Sequence, residues 1–150
     1  MSETRVRQRL SREERFTQLI EVARTIIHDA GTEALTLGHL AQCAGVTKPV
    51  VYDHFTSRSG LFAALYREYD LRSTARMDTQ LSQTEPVLEK LAAVIADAYI
   101  ECVLLSGREM PSVIAALSGT PELEQIRQEY APTFTEKCRA LFTPFCNAHR

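Results

Sequence analysis

The sequence predicts an all-α protein: three short-to-medium helices, a long connecting helix and a second helical bundle. Three observations carry that prediction. Apolar residues recur at three- and four-residue intervals over most of the chain, and no segment shows sustained strand alternation. Hydroxyl residues and glycines punctuate the first sixty positions where short helices would start and stop. A span of about 25 residues with a fading apolar side then separates this part from a strongly apolar one.

The first helix opens at Ser11-Arg12-Glu13-Glu14, which has capping-box spacing, a hydroxyl at the cap and a carboxylate three residues on. Phe16, Ile20, Ala23, Ile27 and Ala30 form its inner stripe, and Gly31 closes it. Thr36 is placed to cap a second, short helix through Leu37, Leu40, Ala41 and Ala44, stopped by Gly45. Thr47 is placed to cap a third, with Lys48 and Pro49 in its first turn, where proline's missing amide costs little. Val50 to Phe55 complete it. Two short helices around a tight glycine-containing turn read as helix-turn-helix. Ser57 opens the long helix, with Leu61, Phe62, Leu65, Tyr66 and Tyr69 on its apolar side and a weaker pattern through Leu71, Met77 and Leu81.

After Thr84-Glu85-Pro86 comes the most apolar stretch, from Val87 to Leu105, with Asp97 and Glu101 interrupting its middle. A helix apolar on so many sides is expected at the centre of the second bundle, covered on most faces and ended by Gly107. Pro111 to Leu117 is a short helix closed by Gly119. Thr120-Pro121-Glu122 opens a last one, its inner side marked by Leu123, Ile126, Tyr130, Phe134, Cys138, Leu141, Phe142 and Phe145. Pro132 within that run predicts a kink or a division into two helices.

Composition narrows the class. The chain has 150 residues, 45% of them hydrophobic, and a formal net charge of -2. It is long enough for one domain, or a small domain fused to a second bundle, and too apolar to be disordered. No uninterrupted apolar run approaches the length of a membrane span, and the N-terminus lacks a signal-peptide core, so cytoplasmic residence is the expectation. The overall balance argues against nucleic-acid binding over the whole surface but leaves room for a local contact. Residues 1–60 carry 8 Arg and Lys against 7 Asp and Glu, and residues 61–150 carry 9 against 12. Arg5, Arg7, Arg9, Arg12 and Arg15 cluster at the start, either as a basic arm that follows phosphates or as a frayed, solubilising terminus. Cys43, Cys102, Cys138 and Cys146 contain no C-x-x-C pair and read as buried structural cysteines, although Cys138, Cys146 and His149 partly resemble a metal site. No cofactor is expected.

A recognition helix offers its N-terminal turns to a DNA groove while burying its other side. Residues 47–55 suit both tasks. Val51 and Phe55 are four apart and form an inward stripe with Leu40 and Ala44. Lys48, Pro49, Val50, Tyr52 and His54 are left for the outer and N-terminal faces. Thr47 and Lys48 stand where a phosphate would meet amide hydrogens and a cation. Pro49 and Val50 suit thymine methyl groups, Tyr52 and His54 suit backbone hydrogen bonds, and Thr36 combines a cap with a phosphate contact. For each of these residues ordinary capping or surface solvation is the competing reading.

The run from Ala44 through Gly45-Val46-Thr47-Lys48-Pro49-Val50-Val51-Tyr52-Asp53-His54-Phe55-Thr56-Ser57-Arg58, with Leu61 after it, resembles the DNA-binding segment of the tetracycline-repressor-like (TetR) regulators. Thr36-Leu37-Gly38-His39-Leu40-Ala41 and a first helix from Arg12 to Gly31 fit as well, so the resemblance covers about residues 10–65. It implies a helix-turn-helix DNA-binding domain over residues 1–60. Residues 61–150 would then be a connector helix and an effector-binding and dimerisation domain. It also implies that Thr36, Thr47, Lys48, Tyr52 and His54 lie at the DNA surface, with Phe55 sealing the core. Two departures stand out. Gly60 occupies a position where the family often has glutamate, which removes a capping box. The family usually continues for about two more helices, so the expectation is a bundle shortened at its C-terminus.

The expected function is therefore a sequence-specific transcriptional regulator, a repressor released from its operator by a small-molecule effector. The expected partners are a palindromic double-stranded operator, a second copy of the chain and a small, largely apolar effector, with no membrane. The effector pocket is expected near Leu91, Ile95, Tyr99, Cys102, Met110, Ile114, Phe134 and Phe142, all of which are also ordinary core residues. The alternative is a helical protein-interaction module that keeps the fold without binding DNA. An enzyme is disfavoured: G-x-G-x-x-G, G-x-S-x-G, H-E-x-x-H and S-x-x-K are all missing. Asp97 and Glu101, four apart on one helix, suit a metal, acid–base work or a solvated edge.

Overall fold

A computed structural model describes residues 9–105 and 109–146, except the side chains of residues 102, 103, 105 and 134. Among the described residues seven α-helices follow one another: α1 (Arg12–Ala30), α2 (Leu37–Ala44), α3 (Lys48–Phe55), α4 (Arg58–Ser82), α5 (Leu88–Leu105), α6 (Met110–Leu117) and α7 (Pro121–Cys146), with a 3-10 turn at Thr32–Ala34. The chain divides into two compact units between Ser57 and Arg58.

In the first unit each helix begins and ends for a local reason. The Glu14 amide donates to Ser11 Oγ at 3.1 Å and the Ser11 amide to Glu14 Oε2 at 2.8 Å, completing the capping box of α1. Gly31 ends that helix with φ 80°, a conformation open to glycine at little cost. The His39 amide donates to Thr36 Oγ1 at 3.1 Å to cap α2, and Gly45 closes it in the left-handed region. The stripes so placed are buried together: Leu19, Ile20, Ala23, Ile26 and Ile27 of α1, Leu37, Leu40 and Ala41 of α2, Val51 and Phe55 of α3, and Leu35 before α2. Ala30, expected on the inner stripe, is exposed on the last turn of α1.

In the second unit α4 occupies the central position, packing against α5, α6 and α7, while α6 also packs on α7. This corrects the expectation for α5. Leu91 is buried, but Tyr99 is 72% and Leu104 75% exposed, and Val87, Leu88 and Ile100 are exposed too. Apolarity on every side of a helix names no single face to bury, and among the described residues α5 finds a substantial partner in α4 alone. The buried residues lie instead on α4 (Leu61, Phe62, Ala63, Leu65, Met77), α6 (Met110, Val113, Leu117) and the start of α7 (Leu123, Ile126).

Pro132 does not divide the last helix, since α7 runs through both Pro132 and Pro144. Proline removes one amide donor, and on an exposed stretch water can satisfy the carbonyl left behind. Thr133 Oγ1 donates to the Glu129 carbonyl at 3.1 Å beside that gap. No described helix is long and apolar enough to cross a membrane. Gly107, the expected end of α5, lies outside the described residues.

Candidate nucleic-acid interface

The outer face of α3 is built by what its inner face buries. Val51 is fully buried and Phe55 is 4% exposed, so the rotation of this eight-residue helix about its axis is fixed. Lys48, Pro49 and Tyr52 then point to solvent, with Tyr52 52% exposed. Val50 is half-buried. Thr36 is exposed but its hydroxyl is engaged as the cap of α2. Thr47 stands at the N-cap of α3, also exposed, and its side chain makes no capping hydrogen bond. The hydroxyl expected to cap α3 is thus left for another acceptor or donor.

His54 is placed differently from its neighbours. It is half-buried, with its ring 6.2 Å from that of Phe16 and 6.0 Å from that of Phe55. Burial among these rings, helped by the positive charges of Arg12 and Arg15, holds the imidazole below its ordinary pKa, against an opposing pull from Asp53. The ring is therefore a partner of the aromatic cluster as much as of the surface.

Arg12 pairs with the Asp53 carboxylate, and its guanidinium also donates to the Asp53 carbonyl at 3.3 Å. Both side chains are well exposed, so the pair contributes little stability and chiefly aligns α1 with the end of α3. Arg15 donates to Gln18, whose amide reaches the Ala44 carbonyl at 3.4 Å. Arg12 and Arg15 thus belong to α1 rather than to a free basic arm. Arg9 is exposed, and Arg5 and Arg7 lie outside the described residues.

Two features of this region carry no sequence signal of their own. A methyl group on Gly38 would stand 2.8 Å from Lys48 Cε and 3.4 Å from its Nζ, so the lysine stem crosses α2 over the gap the glycine leaves. At the other end, Thr56 has φ 65° and ψ -42°, and the Ser57 amide donates to the Phe55 carbonyl at 2.7 Å. This is a γ-turn in a region that β-branched residues rarely adopt, and it stops α3 abruptly after Phe55.

In the second unit, Ile95, Tyr99 and Phe142 line one cavity of 580 Å³ between α4, α5 and α7. Asp70, Ser73, Thr74 and Met77 of α4 and Tyr130, Thr133 and Lys137 of α7 complete most of its wall. Leu91 and Met110 do not line it and are core residues, while Ile114 lies exposed on α6. The side chains of Cys102 and Phe134 lie outside the described residues, as does His149, while Cys43 and Cys146, expected to be buried, are exposed on the last turns of α2 and α7 and Cys138 is half-buried. Among the described residues no group of three or more His, Cys, Asp or Glu is placed to hold a metal. Asp97 and Glu101 are both exposed, and Glu101 faces Arg76 at 3.7 Å.

A short helix with a buried inner stripe, an exposed basic N-terminus and a capped helix crossing behind it defines a helix-turn-helix module. Residues 19–65 match the sequence model of a family described as bacterial regulatory proteins, tetR family. Over those residues the chain is similar to that family. It is 32% identical over 95 residues to the HTH-type transcriptional activator FasR of Mycolicibacterium smegmatis, a match covering 63% of this chain and 43% of that one. It is 29% identical over 81 residues to the HTH-type transcriptional repressor BdcR of Escherichia coli, covering 54% and 41%. It is 24% identical over 115 residues to the fatty acid metabolism regulator protein of Bacillus subtilis, covering 77% and 58%. The matches thus span about half the length of these relatives. No solved structure matches the chain.

Proposed function

We propose that the protein is a sequence-specific DNA-binding transcriptional regulator that acts as a repressor and is released from its operator by a small-molecule effector. The observation that carries this reading is the division of α3. Val51 and Phe55 are sealed inside while Thr47, Lys48, Pro49 and Tyr52 face solvent on adjoining turns. Thr47 and Lys48 hold phosphates at the N-terminus, Pro49 and Val50 meet thymine methyl groups, and Tyr52 and the exposed edge of His54 reach the sugar-phosphate backbone. Thr36 adds a phosphate contact without giving up its cap.

One such helix buries little DNA, so two copies of the chain bind a two-fold symmetric operator, with the helices one turn or a low multiple apart. The relatives include both a transcriptional activator and a transcriptional repressor. Repression is the simpler reading here, because occluding a promoter needs no further contact surface. The cavity lined by Ile95, Tyr99 and Phe142 receives the effector, and α4, which supplies one of its walls, begins directly after Ser57.

Selection of bound duplexes from a random pool, at stated salt, tests this reading. Symmetric sites with regular half-site spacing are expected; unselective recovery overturns it. Against a selected site, Lys48→Ala should weaken binding to specific and unrelated DNA alike and lower the salt slope by about one. An unchanged slope would remove Lys48 from the interface.

A further inference from the structure

The cavity of the second unit carries an unbalanced charge. Two of its lining residues are formally charged, Asp70 and Lys137. The Lys137 ammonium is already matched: it donates to Asp78 Oδ1 at 2.8 Å and to Oδ2 at 3.0 Å. The Asp70 carboxylate has no such match and makes no hydrogen bond or ion pair to any described residue. Lys137 acts on it through space, yet burial outweighs that pull and holds Asp70 above the usual carboxylate range. Apart from the hydroxyls of Ser73, Thr74 and Thr133, the rest of the wall is apolar or aromatic, with Met77, Ile95, Tyr99, Tyr130 and Phe142.

We propose that this cavity binds a lipophilic monocation, seated with its charge beside Asp70 and its apolar body against Met77, Ile95 and Phe142. In its role as the effector, this ligand rests on the regulator reading above; as a ligand class it rests on the cavity alone. A cation supplies the countercharge that Asp70 lacks, and the faces of Tyr99, Tyr130 and Phe142 favour a positive group over a neutral one. A carboxylate ligand is placed badly here. It would have to draw Lys137 from Asp78 and would bring a second anion beside Asp70. At 580 Å³ the cavity is in the range that holds a drug-sized molecule.

The test uses two ions of nearly the same shape and opposite charge, tetraphenylphosphonium and tetraphenylborate, titrated calorimetrically into the full chain without DNA. The phosphonium is expected to bind at least about tenfold more tightly, and Asp70→Asn should abolish most of that preference while leaving borate affinity unchanged or improved. Ala96→Trp, which fills the cavity from α5, should remove binding of both ions. The proposal is overturned if the borate binds as tightly or if Asp70→Asn keeps the preference. It equally fails if a folded wild-type chain binds no phosphonium, or if Ala96→Trp leaves binding intact. Operator affinity is read separately. A phosphonium complex that leaves operator binding unaltered removes the effector role and keeps the ligand class. An operator released by neutral or anionic compounds alone removes the ligand class and keeps the regulator.

Discussion

Within α1 to α3, Tyr52 is the one large apolar side chain left substantially exposed, and it sits on the face assigned to DNA; α5, by contrast, leaves Leu88, Tyr99, Ile100 and Leu104 exposed. The first unit uses short helices with narrow apolar stripes, so there is one way to bury them. The second contains a helix apolar around most of its circumference, and burial of one side leaves the rest uncovered. Local hydrophobicity therefore measures how much a helix gains from partners, without saying which partners the chain provides.

Truncating a side chain in each region breaks this comparison most directly. Phe55→Ala should cost about 3–5 kcal/mol, because Phe55 is buried against Phe16 at a ring separation of 5.8 Å and closes the core behind α3. Leu104→Ala, an apolar truncation at a site 75% exposed, should cost no more than about 0.5 kcal/mol. Urea unfolding of the two variants reads both numbers. A large cost for Leu104→Ala would mean that α5 is covered in solution.

The two threonine caps give a finer version of the contrast. Thr36→Ala removes a hydrogen bond to the His39 amide and should destabilise the first unit by about 1 kcal/mol. Thr47→Ala removes none and should leave stability within about 0.5 kcal/mol, while weakening DNA binding. Equal thermodynamic costs for the two would show that Thr47 caps α3 after all.

These threonines also show how far the sequence reaches. Capping and glycine stops are decided within a few residues, so the bounds of α1, α2 and α3 and the inward register of Val51 and Phe55 were legible. Contacts set by elements far apart in the chain were not. Nothing in the spacing announced that Lys48 crosses Gly38, that Thr56 turns with positive φ, that His54 joins Phe16 and Phe55, or that Asp70 shares a cavity with Tyr130 and Lys137. The place of α5 depends on such distant contacts too, which its own apolarity does not specify. Gly38→Ala turns one of these silent contacts into a measurement. Alanine improves helix propensity in α2, so folding should be unharmed, yet the methyl group displaces the Lys48 stem. Operator affinity should fall roughly two- to fivefold, and an unchanged affinity would mean that the lysine reaches DNA by another path.

Acid should separate the two units by sign, though the effect is the smallest of the set. His54 has its folded pKa lowered from an ordinary 6.5. Well above that value both states hold a neutral imidazole. As pH falls through it the unfolded chain takes up the proton first, so His54 withdraws stability from the first unit until the folded ring is protonated too. Asp70 behaves oppositely, since its folded pKa is raised above 3.8. Its contribution is fully present below that value and is lost as pH rises through the folded one. Acidification from about pH 7.5 to about pH 5.5 should therefore loosen α1–α3 by a few tenths of a kcal/mol, while α4 and α7 are unchanged or slightly tightened. Hydrogen exchange of core amides, corrected for intrinsic pH dependence, resolves the units separately. His54→Gln should flatten the acid response of the first unit alone. A response that survived this substitution would place the titrating group elsewhere and free His54 from its aromatic neighbours.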